Sequence, residues 1–386
     1  MRMVSFSLLI GGGALLISLY IYFRGVWQVV PSRRGRIVVA IVLAAMAALL
    51  MLRGSIPKDG GWIAVAYPRV SYTWMAILLC TFVAVLLGDL VRLGAFAYRR
   101  LSPAPPAVDV ARRHFVAHTI PRGIAIGSGL LSGYGIARAF DDATITELAV
   151  KIPRLPSALD GVSIVQLTDV HVGPFIRRRY LDRLVEQANA LDPDVLVITG
   201  DLVDGSVAEL GSSVAGLAAL NARYGTYFVT GNHDYSSGDL EWCAFLESLG
   251  ITVLRNRRVS IGDAGGSFDL VGVDDWSGGR RRGGTGYDLD AAMKDRDPER
   301  AAVLLAHQPT NFSVAAAAGV DLQISGHTHG GQIFPMTAMV GLAYPYSRGL
   351  YQAGDRHIFV GRGCGFWGPP ARLGSTREIA KLVLTV

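Results

Sequence analysis

The sequence predicts an α/β fold for the C-terminal part of the chain, preceded by an all-helical membrane region. Apolar residues make up 51% of the 386 residues and charged residues only 18%, and the apolar excess lies in the N-terminal third. Beyond it, short apolar runs alternate with helix-like stretches, which is typical of α/β layers. We therefore expect two domains, a multi-pass membrane region over residues 1–140 and a globular domain over residues 141–386.

Three apolar runs in the N-terminal region predict membrane-spanning helices. They cover residues near 4–23, 37–52 and 72–91, and basic residues such as Arg24 and Arg53 lie at their ends. A bilayer core needs about 20 predominantly apolar residues in a helix. Buried core helices are the alternative, but three such runs in series without a polar face favour a membrane.

A fourth apolar segment, at residues 120–137, has two interpretations. It follows Arg112 and Arg113, a pair that resembles a twin-arginine export signal, so it is either a fourth transmembrane helix or a cleaved signal region. The distribution of lysine and arginine predicts that the first and third connections are cytoplasmic. If the fourth segment crosses the membrane, the globular domain lies outside the cytoplasm, which is the placement we expect. If it does not cross, the domain is cytoplasmic.

The charge and the cysteines exclude some classes of protein. The net charge is +6, but many of the arginines flank the apolar runs, so membrane topology accounts for part of it. No combined aromatic and basic groove is evident, so we expect no nucleic-acid partner. The three cysteines are scattered, which predicts neither a disulfide framework nor a thiolate metal site.

Short buried runs predict the strands of the globular domain, and apolar periodicity predicts its helices. The predicted strands are 163–168, 195–199, 227–230, 268–273, 302–306, 322–325, 357–360 and 379–384. The predicted helices are 178–191, 207–223 and 240–249.

A polar cluster follows five of the predicted strands. In α/β sheets ligands bind at the carboxyl ends of the strands, and glycines there allow sharp turns. One such cluster alone arises easily by chance, but five in series indicate a common site. The seven candidate metal ligands are Asp169, His171, Asp201, Asn232, His307, His327 and His329. Imidazole with oxygen ligands suits manganese, iron, zinc or nickel, and seven ligands suit two ions with a bridging carboxylate.

The order of these motifs resembles the calcineurin-like metallophosphoesterase superfamily. The motifs are Asp-x-His, Gly-Asp-x-x-Asp, Gly-Asn-His-Asp, a lone His and Gly-His-x-His, between about residue 160 and the C-terminus. Together with the membrane helices and the twin-arginine-like pair, Gly-His-Thr-His-Gly-Gly-Gln is similar to the bacterial membrane-associated YkuE-like branch. The resemblance implies a four-layer α/β/β/α sandwich with mixed sheets.

The resemblance also implies a role for each residue. Asp169, His171 and His329 would bind one ion, Asn232, His307 and His327 the second, and Asp201 would bridge them. A hydroxide held between the ions would attack phosphorus in line. His233 would protonate the leaving oxygen or stabilise the transition state, oriented by Asp204 or Asp234, of which we favour Asp204. The expected activity is hydrolysis of a phosphoester or phosphoanhydride bond on a lipid-linked or membrane-proximal substrate.

The sequence also allows two alternative functions. The branch allows a UDP-diacylglucosamine-type pyrophosphatase of lipid A synthesis, which would favour a cytoplasmic domain. A non-catalytic binding scaffold on the same fold is disfavoured, because such scaffolds typically lose ligands and every ligand is present here together with His233.

Three further features have both a functional and an ordinary interpretation. Asp274 and Asp275 end a predicted strand and either support the site or form a turn. The glycine-flanked arginines 280–282 either hold anionic head groups or lie in a solvated loop. The apolar stretch 334–346 either shapes a lipid-facing mouth or packs as an ordinary loop.

Overall fold

The computed structural model describes residues 2–52, 61–101, 115–278 and 286–386. The chain divides into two compact units, one formed by residues 1–138 with 368–371 and the other by residues 139–367 with 372–386. The twin-arginine-like pair Arg112 and Arg113 and the arginines 280–282 lie outside the described residues.

The first unit is helical throughout its described parts. Its helices are α1 (Arg2–Ile21), α2 (Trp27–Val29), α3 (Arg33–Met51), α4 (Trp62–Leu101) and α5 (Ile120–Phe140). In the described part of the chain, three stretches are long and apolar enough to cross a membrane, namely Leu8–Val29, Arg33–Met51 and Trp62–Leu101. Helix α5 covers the predicted fourth segment but is not one of these three.

The ends of the apolar runs do not mark the ends of the helices. Helix α4 has 40 residues and extends on both sides of the predicted span 72–91, because Arg69 and Arg92 interrupt the apolar pattern without ending the helix. Charges at the ends of two different runs neutralise each other: Arg24 donates to both carboxylate oxygens of Asp89, at 2.6 and 2.8 Å.

The second unit contains two mixed sheets, each with six strands among the described residues. The first sheet has the order β1 (Thr144–Lys151), β12 (Glu378–Thr385), β2 (Ser163–Leu167), β3 (Val195–Thr199), β4 (Thr226–Val229) and β5 (Thr252–Val253). Only β12 and β2 are antiparallel neighbours in this sheet.

The second sheet also combines parallel and antiparallel neighbours. Its order is β10 (Gly349–Ala353), β11 (Arg356–Val360), β9 (Leu322–Ser325), β8 (Ala302–Leu305), β7 (Gly266–Gly272) and β6 (Arg257–Asp263). The four strands from β11 to β7 are parallel, and the two outer strands β10 and β6 are antiparallel to their neighbours.

Seven α-helices follow in the described residues of this unit, namely α6 (Arg178–Asn189), α7 (Val207–Val214), α8 (Asn232–Ser237), α9 (Asp239–Ser248), α10 (Leu289–Met293), α11 (Phe312–Ala317) and α12 (Met336–Ala343). Helices α6, α7 and α9 cover the outer face of the first sheet and α10 and α11 cover that of the second, whereas α12 buries none of its residues. The predicted helix 207–223 is shorter than expected, because its α-helical part ends at Val214 and a 3₁₀ turn, Ala215–Ala219, follows.

Three of the apolar clusters in this unit show how its layers pack. Side chains on successive strand positions point to opposite faces, so Ile164 packs between the two sheets whereas Val165 packs against helix residues such as Leu181. A third core joins the second sheet to α10 and α11, for example through Leu304 and Ala315. The unit is therefore an α/β/β/α sandwich with mixed sheets, and the predicted fold class is confirmed.

Four strands were not predicted, namely β1, β5, β6 and β10. Strands β1 and β10 lie at sheet edges, and most of their residues are exposed or only partly buried, so they lack the continuous buried run that predicts a central strand. Strand β5 has only two residues. The three cysteines, Cys80, Cys243 and Cys364, are buried and unpaired.

Candidate dimetal site

The predicted ligands lie at the carboxyl ends of five parallel strands. In the first sheet, Asp169 and His171 follow β2, Asp201 follows β3, and Asn232 begins helix α8 after β4. In the second sheet, His307 follows β8, and the other two histidines follow β9.

The two sheets meet at this site. His307 Nδ1 lies 2.9 Å from the carbonyl oxygen of Thr199, at the end of β3. The carbonyl accepts the Nδ1 proton, which leaves the lone pair on Nε2 for the site. The contact joins a histidine of the second sheet to the backbone of the first.

The backbone at the site is held in an unfavourable conformation. A left-handed backbone costs a non-glycine residue of the order of 1–3 kcal/mol and persists only where the surroundings impose it. Among the described residues nine non-glycine positions have a positive φ, and five of them are predicted ligands. These five are Asp169 (52°), His171 (53°), Asp201 (52°), His327 (72°) and His329 (51°).

Two glycines allow the strand ends to approach each other. A Cβ atom at Gly231 would lie well inside 3.0 Å of the Asp201 backbone nitrogen, and one at Gly326 would meet Thr168 and Asp169 equally closely. No other residue fits at either position without a shift of the backbone or of a ligand.

Three of the predicted ligands form one group. His171 Nε2 lies 3.1 Å from His329 Nε2, and His329 Nε2 lies 3.3 Å from Asp169 Oδ1. All three side chains are buried. Ring nitrogens and a carboxylate oxygen that converge in this way are suited to share one cation.

A second group lies around His307. Its Nε2 is 3.2 Å from Asp201 Oδ2 and 3.3 Å from His327 Nδ1. In the described part of the chain, Asn232 Oδ1 is buried without a hydrogen-bond partner. An unpaired buried acceptor costs about 1–3 kcal/mol. A cation that accepts this oxygen as a ligand would remove the cost, so the residues fit a metal ion.

Asp201 belongs to both groups. Besides its contact with His307, its Oδ2 lies 3.9 Å from His171 Nε2 in the first group. A carboxylate shared in this way suits two ions about 3.5–4 Å apart. His233 also touches Asp201, because its backbone N–H donates to Asp201 Oδ1 at 2.8 Å.

Asp204 contacts two histidine rings at once. Its Oδ1 lies 2.6 Å from His233 Nδ1, and its Oδ2 lies 3.2 Å from His171 Nδ1. Burial opposes ionisation, but the two histidines outweigh it and hold the pKa of Asp204 well below its usual range. Burial likewise opposes protonation of His233, but Asp204 outweighs it and raises the pKa of His233 to about 9.

Asp234, the other candidate partner of His233, binds backbone N–H groups through its carboxylate. Its carboxylate accepts the backbone N–H groups of Gly231, Asp201, Leu202 and Val203 at 2.8–3.2 Å. It therefore fixes the loop after β3 against the turn after β4. The geometry favours Asp204 as the partner of the His233 ring.

Arg372 was not predicted from the sequence as a site residue, although it lies behind the group of Asp169, His171 and His329. Its guanidinium is buried, donates to the carbonyl oxygen of His329 at 3.0 Å and lies 3.2 Å from His329 Nδ1. Ser375 Oγ donates to the same carbonyl at 2.8 Å. The residues around Arg372 contain no recognisable motif, so only the folded chain reveals this support.

The strand-end acids Asp274 and Asp275 are both buried near the site. Asp275 accepts from Gln308 Nε2 at 2.9 Å, next to His307, whereas Asp274 pairs with Arg255 at 3.0 Å. Asp275 also accepts from the Ser277 N–H at 2.8 Å, so it both forms a turn and contacts the neighbour of His307.

Comparisons with known proteins agree with this geometry. A family model described as calcineurin-like phosphoesterase matches residues 162–331. A transmembrane protein with metallophosphoesterase domain from Danio rerio is 32% identical over 399 residues, 99% of this chain and 89% of that protein. The protein of that name from Bos taurus is 36% identical over 332 residues, 82% of this chain and 74% of that protein.

A bacterial relative is similar over the globular part. The uncharacterized metallophosphoesterase YkuE of Bacillus subtilis is 31% identical over 274 residues, 67% of this chain and 93% of that protein. The histidines and carboxylates at the strand ends of the two mixed sheets, together with these matches, define a metal-dependent hydrolase. The chain belongs to the calcineurin-like metallophosphoesterase family, whose members depend on two metal ions, and it hydrolyses phosphoric ester bonds.

Proposed function

We propose that this phosphoesterase acts on a lipid-linked or membrane-proximal substrate, using two divalent ions at the Asp201 site. The observation that carries the dimetal part is the position of Asp201, whose Oδ2 approaches His307 at 3.2 Å and His171 at 3.9 Å. The membrane part is supported by the three helices of membrane length and by relatives named transmembrane proteins.

The ligand assignment follows from the two groups. Asp169, His171 and His329 would hold one ion, Asn232, His307 and His327 the other, and Asp201 both. Manganese, iron, zinc and nickel all suit these donors. When bound, such an ion pair lowers the pKa of water towards neutrality and neutralises charge on the phosphoryl oxygens.

His233 would act on the leaving group. Its side chain is 23% exposed, whereas the ligand side chains His171 and His307 are almost fully buried, so His233 is accessible to a substrate. Asp204 holds Nδ1 at 2.6 Å and thereby orients Nε2, the atom that would pass a proton to the leaving oxygen. Asp204 is thus a positioning residue for His233.

The activity test uses the full chain in detergent or nanodiscs, stripped with a chelator and reloaded with one metal at a time. The substrates are an aryl phosphomonoester, an aryl phosphodiester, phosphatidic acid and UDP-diacylglucosamine. We expect metal-dependent turnover that is lost in Asp201→Asn and reduced in His233→Ala. An absence of turnover on every substrate would contradict the proposed function, and full activity in Asp201→Asn would contradict the site assignment.

The domain assignment and the side of the membrane are part of the proposal. We assign residues 1–140 to a multi-pass membrane region and residues 141–386 to the phosphoesterase domain, placed outside the cytoplasm by a fourth crossing at α5. Helix α5 has 21 residues, which at 1.5 Å per residue suffices to cross a bilayer core of about 30 Å. A membrane-impermeant thiol reagent should label Leu240→Cys on intact cells; labelling only after lysis would place the domain in the cytoplasm.

A further inference from the structure

Helix α12 carries an exposed apolar stripe beside the metal site. None of its residues is buried, and it follows shortly after the ligand His329. Met336, Met339 and Leu342 are 44%, 53% and 89% exposed, and their spacing of three places them on one helix face. Phe334, just before the helix, is 45% exposed. We call these four side chains the apolar stripe.

The stripe is held firmly against the site. A Cβ atom at Gly331 would lie well inside 3.0 Å of the Thr337 backbone, so the inner side of α12 rests directly on the turn that carries His329. The Phe334 N–H donates to the Leu373 carbonyl at 2.8 Å and fixes the start of the segment. At the other end, the Tyr344 ring lies 6.1 Å from the ring of the ligand His327.

Ordinary loop packing does not account for this arrangement. A helix in a soluble domain turns its apolar face to the core and its polar face to water, whereas α12 turns large apolar side chains outward. Residues 333–346 contain no charged side chain, two tyrosines lie at the end of this stretch, and the exposed Arg348 follows. Apolar side chains bordered by tyrosine and a basic residue are typical of segments that lie in a membrane interface.

We propose that the apolar stripe enters the acyl region of a lipid bilayer, with Arg348 at the headgroup phosphates, and so brings the metal site to a lipid phosphate. The last step rests on the proposed phosphoesterase function. The chain carries three helices of membrane length, so a bilayer is always present at high effective concentration. The four side chains also offer far less surface area than the ~800 Å² per partner that a stable protein interface buries. This difference favours lipid over a second protein as the binding partner.

The direct test measures contact with lipid and does not depend on activity. A bimane fluorophore is attached to Leu342→Cys in the full chain, reconstituted in phosphatidylglycerol and phosphatidylcholine vesicles with or without doxyl-labelled lipid. Leu240→Cys on α9 is the matched control, because Leu240 is 72% exposed and the three native cysteines are buried. We expect quenching by doxyl lipid at position 342 and little at 240. Equal quenching at both positions would overturn the proposal. A fluorophore at position 342 that is shielded from water but not quenched by doxyl lipid would also overturn it.

A second measurement asks whether the stripe delivers lipid substrate. In the double variant Met339→Asp with Leu342→Asp, the ratio of turnover on vesicle phosphatidic acid to turnover on a soluble aryl phosphodiester should fall about tenfold. Leu240→Asp should leave this ratio unchanged. Equal losses on both substrates would contradict a role of the stripe in delivering lipid. Quenching at position 342 without lipid hydrolysis by the unmodified protein would reject the lipid substrate but leave the bilayer contact established.

Discussion

Asp204 Oδ1 lies 2.6 Å from His233 Nδ1, the shortest distance between a carboxylate and a histidine ring in the described part of the site. The other oxygen of Asp204 reaches His171 Nδ1 at 3.2 Å. One carboxylate therefore orients both a predicted ligand and the predicted proton donor. A change at Asp204 should affect metal binding and leaving-group chemistry together.

The pKa of His233 should depend on Asp204. The carboxylate stabilises the imidazolium and raises the pKa of His233 to about 9 in the metal-free chain. Removing the negative charge in Asp204→Asn should therefore lower that pKa towards its usual value, as measured by NMR titration of the histidine rings after chelation. The control Asp182→Asn alters an exposed carboxylate that pairs with Arg178, and it should leave the titration unchanged. An unaltered pKa in Asp204→Asn would contradict the assignment.

The same substitution should reduce turnover. Loss of a side chain that orients a metal-ligating histidine typically costs about 10- to 100-fold in metal affinity or activity. We expect a loss in that range for Asp204→Asn, with weaker metal binding in calorimetry. If turnover and metal affinity both matched those of the Asp182→Asn control, Asp204 would have no positioning role.

Asp234 should matter for stability more than for proton transfer. The Asp234→Ala variant leaves four backbone N–H groups at residues 201, 202, 203 and 231 without their acceptor. Because each unsatisfied buried donor costs about 1–3 kcal/mol, the loss of the acceptor for all four should lower the free energy of unfolding by at least about 4 kcal/mol. Chemical denaturation of the metal-free chain would measure this, with Asp182→Ala as the exposed control. A loss no larger than that of the control would refute the backbone-clamp interpretation of Asp234.

Replacing Asn232 should impair metal binding without destabilising the metal-free protein. Its Oδ1 is buried and unpaired in the described part of the chain, so Asn232→Ala should not destabilise the metal-free protein. With metal, the variant should lose most of its affinity for one ion, so calorimetry should show one tight site where the unmodified protein has two. Two equally tight sites in the variant would remove Asn232 from the ligand set.

The close approach at Gly326 predicts that even one methyl group is disruptive there. A Cβ atom at this position would collide with Thr168 Oγ1 and Asp169 Oδ2, both in a buried strand end that has little room to move. Gly326→Ala should reduce metal affinity at least about tenfold. The matched control is Gly341→Ala, where a Cβ atom meets nothing within 4 Å and alanine favours the helix. Equal metal binding in both variants would show that the strand ends are looser than described.

The strands that could be predicted from the sequence are those whose signal lies in a short stretch of neighbouring residues. Strands β2, β3, β8 and β9 are continuous buried runs, and the polar residues after them share one sheet edge because the strands are parallel within each sheet. Strand β12 was predicted as a strand, but its place between β1 and β2 depends on pairing with residues more than 200 positions away.

The unpredicted features depend on contacts between distant segments. Asp234 lies in a recognisable motif, but its role is set by the direction of backbone N–H groups in the loop after β3. The contact between Arg372 and His329 arises from the packing of a loop without a motif. The outward orientation of Leu342 is likewise visible only once α12 is placed on Gly331.

Electron paramagnetic resonance of the manganese-loaded full chain can show whether the Asp201 carboxylate joins two metal ions. Two ions bridged by Asp201 and about 3.5–4 Å apart should give the spectrum of a spin-coupled manganese pair. In Asp201→Asn the coupled signal should be lost or strongly reduced while the protein stays folded. A spectrum of isolated manganese ions in the unmodified protein, with metal bound at both sites, would rule out Asp201 as a bridging ligand.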